Sequence, residues 1–143
     1  MKKIGLLIVL FISLVSCSND DNENKPTESY HGKWILTAMG NSNPAVNSVD
    51  ILEWEESYTF NSDNTFSKTR KKDGKITTIS GTYSVVKTTD QIQFELNYTA
   101  ESDIVASCTS KTKENLYIIN SFGNLYGTWS VCDGPRLVYE KKK

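Results

Sequence analysis

The chain is poor in the residues that make chemistry. It has a single histidine, His31, in 143 residues, and nothing stands around it at metal-ligand spacing, so no metal site is expected. There is no Gly-x-Ser-x-Gly elbow to present a nucleophile. There is no phosphate loop and no dinucleotide glycine pattern. Glu53, Glu55 and Glu56 lie close together, but nothing marks a partner across a sheet for them, so no catalytic carboxylate pair is expected. These absences point away from an enzyme, with no catalytic residue and no cofactor to name. Charge of one sign is lacking too: the formal net charge is −1. A near-neutral chain has no long-range field to draw it onto nucleic acid. Long apolar runs are missing. Ile4 to Val15 is well short of the roughly 20 residues that cross a bilayer as a helix. Helical periodicity is missing as well, since no later stretch keeps an apolar 3.6 period long enough to force a helix.

What is present begins at the N-terminus. Met1-Lys2-Lys3 is positive, Ile4 to Val15 is apolar, and the chain turns polar after Ser16-Cys17. That order describes a secretory signal. Leu14-Val15-Ser16-Cys17 resembles the bacterial lipobox at all four positions. The resemblance implies cleavage before Cys17, diacylglycerol on its sulfur and acylation of the new amino group. Several acyl chains anchor stably, because each buried methylene contributes about 0.8 kcal/mol. Residues 1–16 are then a removed signal peptide.

Residues 17–29 read as the lipidated cysteine and a tether. Ser18 to Ser29 holds no apolar residue except Pro26, so it has nothing to bury and is expected to be disordered. Its Asp20, Asp21, Glu23 and Glu28 against Lys25 are similar to the acidic export signal of Bacteroidetes surface lipoproteins. That likeness implies sorting to the outer membrane, on its periplasmic face or at the cell surface. From Tyr30 onward the acidic and basic residues number 13 each. Cys108 and Cys132 remain, and two cysteines in an exported domain usually pair. The other reading is two buried free thiols.

Residues 30–143 read as one domain, and its texture is β. Thr, Val, Ile, Tyr, Phe and Trp dominate, with turn residues every eight to twelve positions. Strands are expected over Lys33–Met39, Glu53–Phe60, Thr65–Lys71, Ile76–Val86, Gln91–Tyr98, Asp103–Thr109 and Asn115–Asn120. A final stretch, Leu125–Glu140, is broken by Gly134-Pro135. Asp73-Gly74 marks a tight hairpin turn. Consecutive hairpins make an antiparallel up-and-down meander, which loses its edges by closing into a barrel of about eight strands.

Three short motifs carry a resemblance. Gly32-Lys33-Trp34 opens the first strand as Gly-x-Trp opens lipocalins. Tyr58 to Phe66 resembles the hairpin of Bacteroidetes lipocalin-like lipoproteins, and Gly81-Thr82-Tyr83 has a Gly-x-Tyr counterpart there. The resemblance implies a small lipocalin-like β-barrel and a binding role, with no catalytic residue. It places Trp34 near the closed end of the barrel. The domain is shorter than a typical lipocalin and shows no C-terminal helix.

Trp34, Tyr58, Phe60, Phe66, Tyr83, Phe94 and Tyr98 are the candidate ligand-binding residues, with Trp54 beside them. The same side chains would serve as the core of a filled barrel, since a small domain needs nearly all its large apolar residues for stability. Lys68 and Arg70 share the face of Phe66. They are expected to run past the barrel rim into solvent with Lys71, Lys72 and Lys75, rather than to receive an acidic head group inside. Two functions stand. One is a membrane-anchored protein that binds a small, partly apolar ligand. The other is an envelope protein–protein interaction or structural module with a filled barrel. An exposed apolar patch on Gly40–Val49 or Asn120–Gly127 would favour the second.

Overall fold

The structure is a computed structural model, described here for residues 30–40 and 51–143. The signal peptide, Cys17, the tether and all but Gly40 of the loop Gly40–Val49 lie outside the described residues. Eight strands run in chain order: β1 Gly32–Gly40, β2 Glu55–Phe60, β3 Thr65–Lys72, β4 Lys75–Lys87, β5 Gln91–Tyr98, β6 Lys113–Ile119, β7 Leu125–Gly127 and β8 Arg136–Lys141. Each pairs antiparallel with the next, and β8 pairs with β1, so the sheet closes into a barrel. No α-helix occurs among the described residues; a short 3-10 turn, Trp129–Cys132, sits between β7 and β8. The expected meander and its closure are both present.

The turns follow their chemistry. Asp73 and Gly74 both have positive φ, 51° and 76°, and they join Lys72 to its partner Lys75. Two positive φ values in a two-residue loop match the twist of the flanking strands. Asn64 has φ 63°, and Asp63 accepts hydrogen bonds from the Thr65 amide and hydroxyl, which fixes the β2–β3 turn.

One expected strand is not there. Asp103–Thr109 belongs to the long connection between β5 and β6, and it lies over one end of the barrel. The Ser102 hydroxyl accepts from the Ile104 amide, Ser107 from Thr109, and Ser110 from both Thr112 and Lys113. Such local bonds compete with a strand ladder. Ile104, Val105 and Ala106 are buried consecutively, and none of the three is paired in the strand ladder. The pairing of Cys108 with Cys132 is formed. It ties this segment to the 3-10 turn at the same end, where the Asp73-Gly74 turn also lies. The opposite end holds the Asn61–Asn64 turn and the point where the chain enters at Tyr30.

Two glycines explain the motifs that carried the resemblance. Gly32 has φ 111°, a region closed to most L side chains. It lets the chain turn into β1 while the Trp34 indole donates to the Tyr30 carbonyl at 2.9 Å. At Gly81 an added Cβ would land on the Asn97 carbonyl and within 2.9 Å of Tyr98 Cα. Only glycine lets β4 pass so close to β5.

Candidate functional site

The interior of the barrel is the natural place to look for a site, and alternation decides which side chains reach it. Along β2, Glu56, Tyr58 and Phe60 are buried; along β3, Phe66, Lys68 and Arg70 are buried. The interior therefore has two layers.

The first layer is aromatic and lies towards the entry end. The Phe60 ring sits 5.1 Å from Tyr83 and 5.0 Å from Phe94. Phe66 meets Tyr98 edge-on at 4.9 Å. Tyr30 packs edge-on against Phe94 at 5.3 Å. Trp34 belongs to the same buried cluster. All seven candidate ligand residues (Trp34, Tyr58, Phe60, Phe66, Tyr83, Phe94, Tyr98) thus lie inside the barrel, and their rings pack against one another and their buried neighbours. Burying such a side chain contributes roughly 1.5–3 kcal/mol, so this layer is a large share of the stability.

The second layer is ionic, and it corrects the reading of the cations. Lys68 and Arg70 do not run into solvent: Lys68 is fully buried and Arg70 nearly so. The reason is phase. Both share the face of Phe66, and the barrel wall extends far enough to enclose them. Their partners are two buried carboxylates. The Lys68 ammonium lies 3.3 Å from Glu56 and 3.1 Å from Glu114. The Arg70 Nε donates to Glu56, and its Nη2 donates to the Ile104 carbonyl at 3.3 Å. Three tyrosine hydroxyls complete the shell. Tyr58 and Tyr98 donate to the two oxygens of Glu114 at 2.6 and 2.5 Å, and Tyr139 donates to Glu56 at 2.6 Å. Two cations and two carboxylates sum to zero. Burial, and then the nearby carboxylates, push the ionisation of all three phenols well above the ordinary tyrosine value. They therefore act as donors throughout the ordinary pH range.

The expectation that no carboxylate among Glu53, Glu55 and Glu56 has a partner across the sheet is corrected by the same geometry. Glu56 points inward with Tyr58 and pairs with two cations of β3, while Glu53 and Glu55 point outward to Lys72 and Lys71. Glu114 and Tyr139 had not been singled out in the sequence. The signal was available: Trp54, Glu56, Tyr58 and Phe60 share one parity, as do Phe66, Lys68 and Arg70, and as do Glu114, Leu116 and Ile118. Charges of opposite sign standing in phase with aromatic residues on different strands were the clue.

At the far end the Arg70 guanidinium stacks 4.3 Å over the buried Trp54 ring, with the Lys72 ammonium at 5.1 Å. Ile104–Ala106 lies above, held by the disulfide. The Trp54 indole N–H makes no hydrogen bond among the described residues. Chemically, the ionic layer is saturated. Both oxygens of each carboxylate accept charge-assisted bonds, so none is open to activate a water. Among the described residues no group of His, Cys, Asp or Glu is placed to hold a metal ion.

A sheet closed on itself by eight antiparallel strands, entered through Gly32-Lys33-Trp34, agrees with the family profile that matches. The profile described as a lipocalin-like domain covers residues 31–112, more than half of the chain. The chain belongs to the lipocalin-like domain family. Lipocalin-like domains serve in binding or structural roles and are in the main not enzymes. No curated protein and no solved structure matches this chain. Within the lipocalin-like barrel the matched segment runs from the start of β1 to the edge of β6, and so contributes Glu56, Lys68 and Arg70 but not Glu114 or Tyr139.

Proposed function

We propose that the chain is an outer-membrane lipoprotein, anchored through acyl chains on Cys17, whose barrel is a filled, rigid scaffold acting through its outer surface on another envelope component. One observation carries this reading: the interior is occupied by its own side chains. The aromatic layer fills one half, and a neutral, hydrogen-bonded ion network fills the other. A ligand entering from the far end would have to displace the disulfide-tied segment and break ion pairs buried from water. Removing one partner of such a pair costs about 3–5 kcal/mol, a burden that weakens any calyx ligand. The lipobox and the acidic residues after it support the anchoring. Phe122, 70 % exposed in the β6–β7 connection, gives that connection one apolar side chain to set against a partner.

The competing reading, a small and partly apolar ligand in the barrel, rests on the family's binding role. Native mass spectrometry of the lipidated protein, extracted gently from envelopes, separates the two. The scaffold reading expects only the mass of the acylated chain. A stoichiometric small molecule, released on mild denaturation, would sink it.

A further inference from the structure

The outer wall of the barrel carries a groove of about 440 Å³ over β4, β5 and β6, and we propose that it binds a neutral saccharide. The proposal rests on the reading that this protein works from its exterior, and it names the chemistry of what is held there.

Strand register builds the site. Val86 pairs with Gln93, Gln93 with Tyr117, and Tyr117 with Tyr126. Two residues along, on the same face, Ser84 pairs with Glu95 and Glu95 with Asn115. Partners in an antiparallel ladder share a face, so two rows of outward side chains lie side by side across the wall. The first row offers an apolar side chain, an amide and aromatic rings. The second offers a hydroxyl, a carboxylate and an amide.

The aromatic end is set upright. Tyr117 and Tyr126 stack nearly parallel, with ring centroids 5.3 Å apart and planes 19° apart. Tyr126 covers one face of Tyr117. Tyr117 lines the groove and Tyr126 does not, so the other face of Tyr117 forms a wall above Gln93. The amides of Gln93 and Asn115 make no side-chain hydrogen bond among the described residues. Each is a free donor and acceptor.

That combination selects its ligand by elimination. No lysine or arginine lines the groove, and the one cation at its rim, Lys113, is paired with Glu95 at 3.6 Å, so a phosphate or carboxylate finds no unpaired counter-charge. The lining mixes amides and hydroxyls with its apolar groups, which does not suit an acyl chain. Under the groove β5 is paired with β4 on one side and β6 on the other, so the groove floor offers no strand edge for a peptide to extend. A pyranose fits each feature. Its C–H face lies against an aromatic ring, its hydroxyls pair with amides as both donors and acceptors, and two adjacent hydroxyls can share one carboxylate. The volume falls in the range of small-ligand sites.

The test uses the full chain in detergent micelles. It is screened on an array of glucose, galactose, mannose and N-acetylglucosamine and their short neutral oligomers, with calorimetry on the hits. Gln93→Ala and Tyr117→Ala are compared with the native protein. Both side chains face outward, so thermal melts should stay close to native, and a variant that does not melt so is replaced by Gln93→Glu or Tyr117→Ser. The expected result is saturable binding of a neutral sugar that weakens about tenfold in each variant, the equivalent of one lost contact. Absence of binding to every neutral sugar, undiminished binding in both variants, or preference for sulfated or uronic sugars would overturn the proposal. A molecule retained inside the barrel in native mass spectrometry would instead overturn the scaffold reading, and its binding would be indifferent to both substitutions.

Discussion

Lys68 shows how much a single residue can hide. One ammonium bridges two carboxylates in a place without water. Coulomb attraction there is strong, but so is the desolvation that opposes it, and only the complete set of partners balances the two. Lys68→Met should therefore destabilise the protein by about 3–5 kcal/mol, because Glu56 and Glu114 are left as neighbouring buried charges. Adding Glu114→Gln to Lys68→Met should recover part of that loss. Urea denaturation of the two single variants and the double variant measures the coupling; strict additivity would mean that the two groups do not interact. The tyrosines give a second handle. The ionisation of Tyr58, Tyr98 and Tyr139 is raised in the fold, first by burial and then by the carboxylates. Their contribution is complete below the unfolded value of about 10 and is lost as pH rises above it, where only the unfolded chain ionises. Stability should fall by about 1.4 kcal/mol per pH unit for each phenol in that window. Absorbance at 295 nm should show the phenolates of Tyr58, Tyr98 and Tyr139 appearing only together with unfolding, which Tyr→Phe variants at the three positions would assign.

Among elements, the strands were largely legible and the long connection was not. Alternation in Gln91–Tyr98 and the Asp73-Gly74 turn specify β5 and the β3–β4 hairpin almost unaided. In β3 the alternation was also correct, but it was overruled by the habit of sending cations to water. Nothing local tells Lys68 that Glu114 waits 46 residues away, so the ion network could be read only by comparing parities across strands. Asp103–Thr109 failed for the opposite reason. Its β-branched and apolar residues looked like a strand, while its serines held the backbone in turns. This connection depends on its disulfide. Closing the Cys108–Cys132 loop contributes roughly 3 kcal/mol in the chain-entropy view. Cys108→Ser with Cys132→Ser should lower stability by about that amount. Amide exchange should accelerate most over residues 99–112 and leave β2, β3 and β4 nearly unchanged. Uniform acceleration would show that the bridge supports the whole barrel instead.

At the scale of the whole molecule, closure is the governing fact. With β8 paired to β1, every strand among the described residues has a neighbour on each side, and the long open edge of a flat sheet, ready to recruit another chain, is gone. What the barrel can offer to other molecules is therefore its wall and its loops. The lipobox reading sets where they are offered. A Cys17→Ala variant should move from the membrane fraction to the soluble envelope fraction and keep the melting behaviour of the native barrel. Retention in the membrane fraction would point to a different attachment.

The three tryptophans give this molecule three built-in optical gauges, because each belongs to a different region. Trp34 is sealed beside the entry, Trp54 lies beneath a guanidinium at the far end, and Trp129 packs against Gly134 in the turn joined by the disulfide. Emission from single-tryptophan versions would report separately on the two mouths of the barrel and on its stapled corner. The order in which water reaches the three rings during denaturation would then give the order in which the barrel opens.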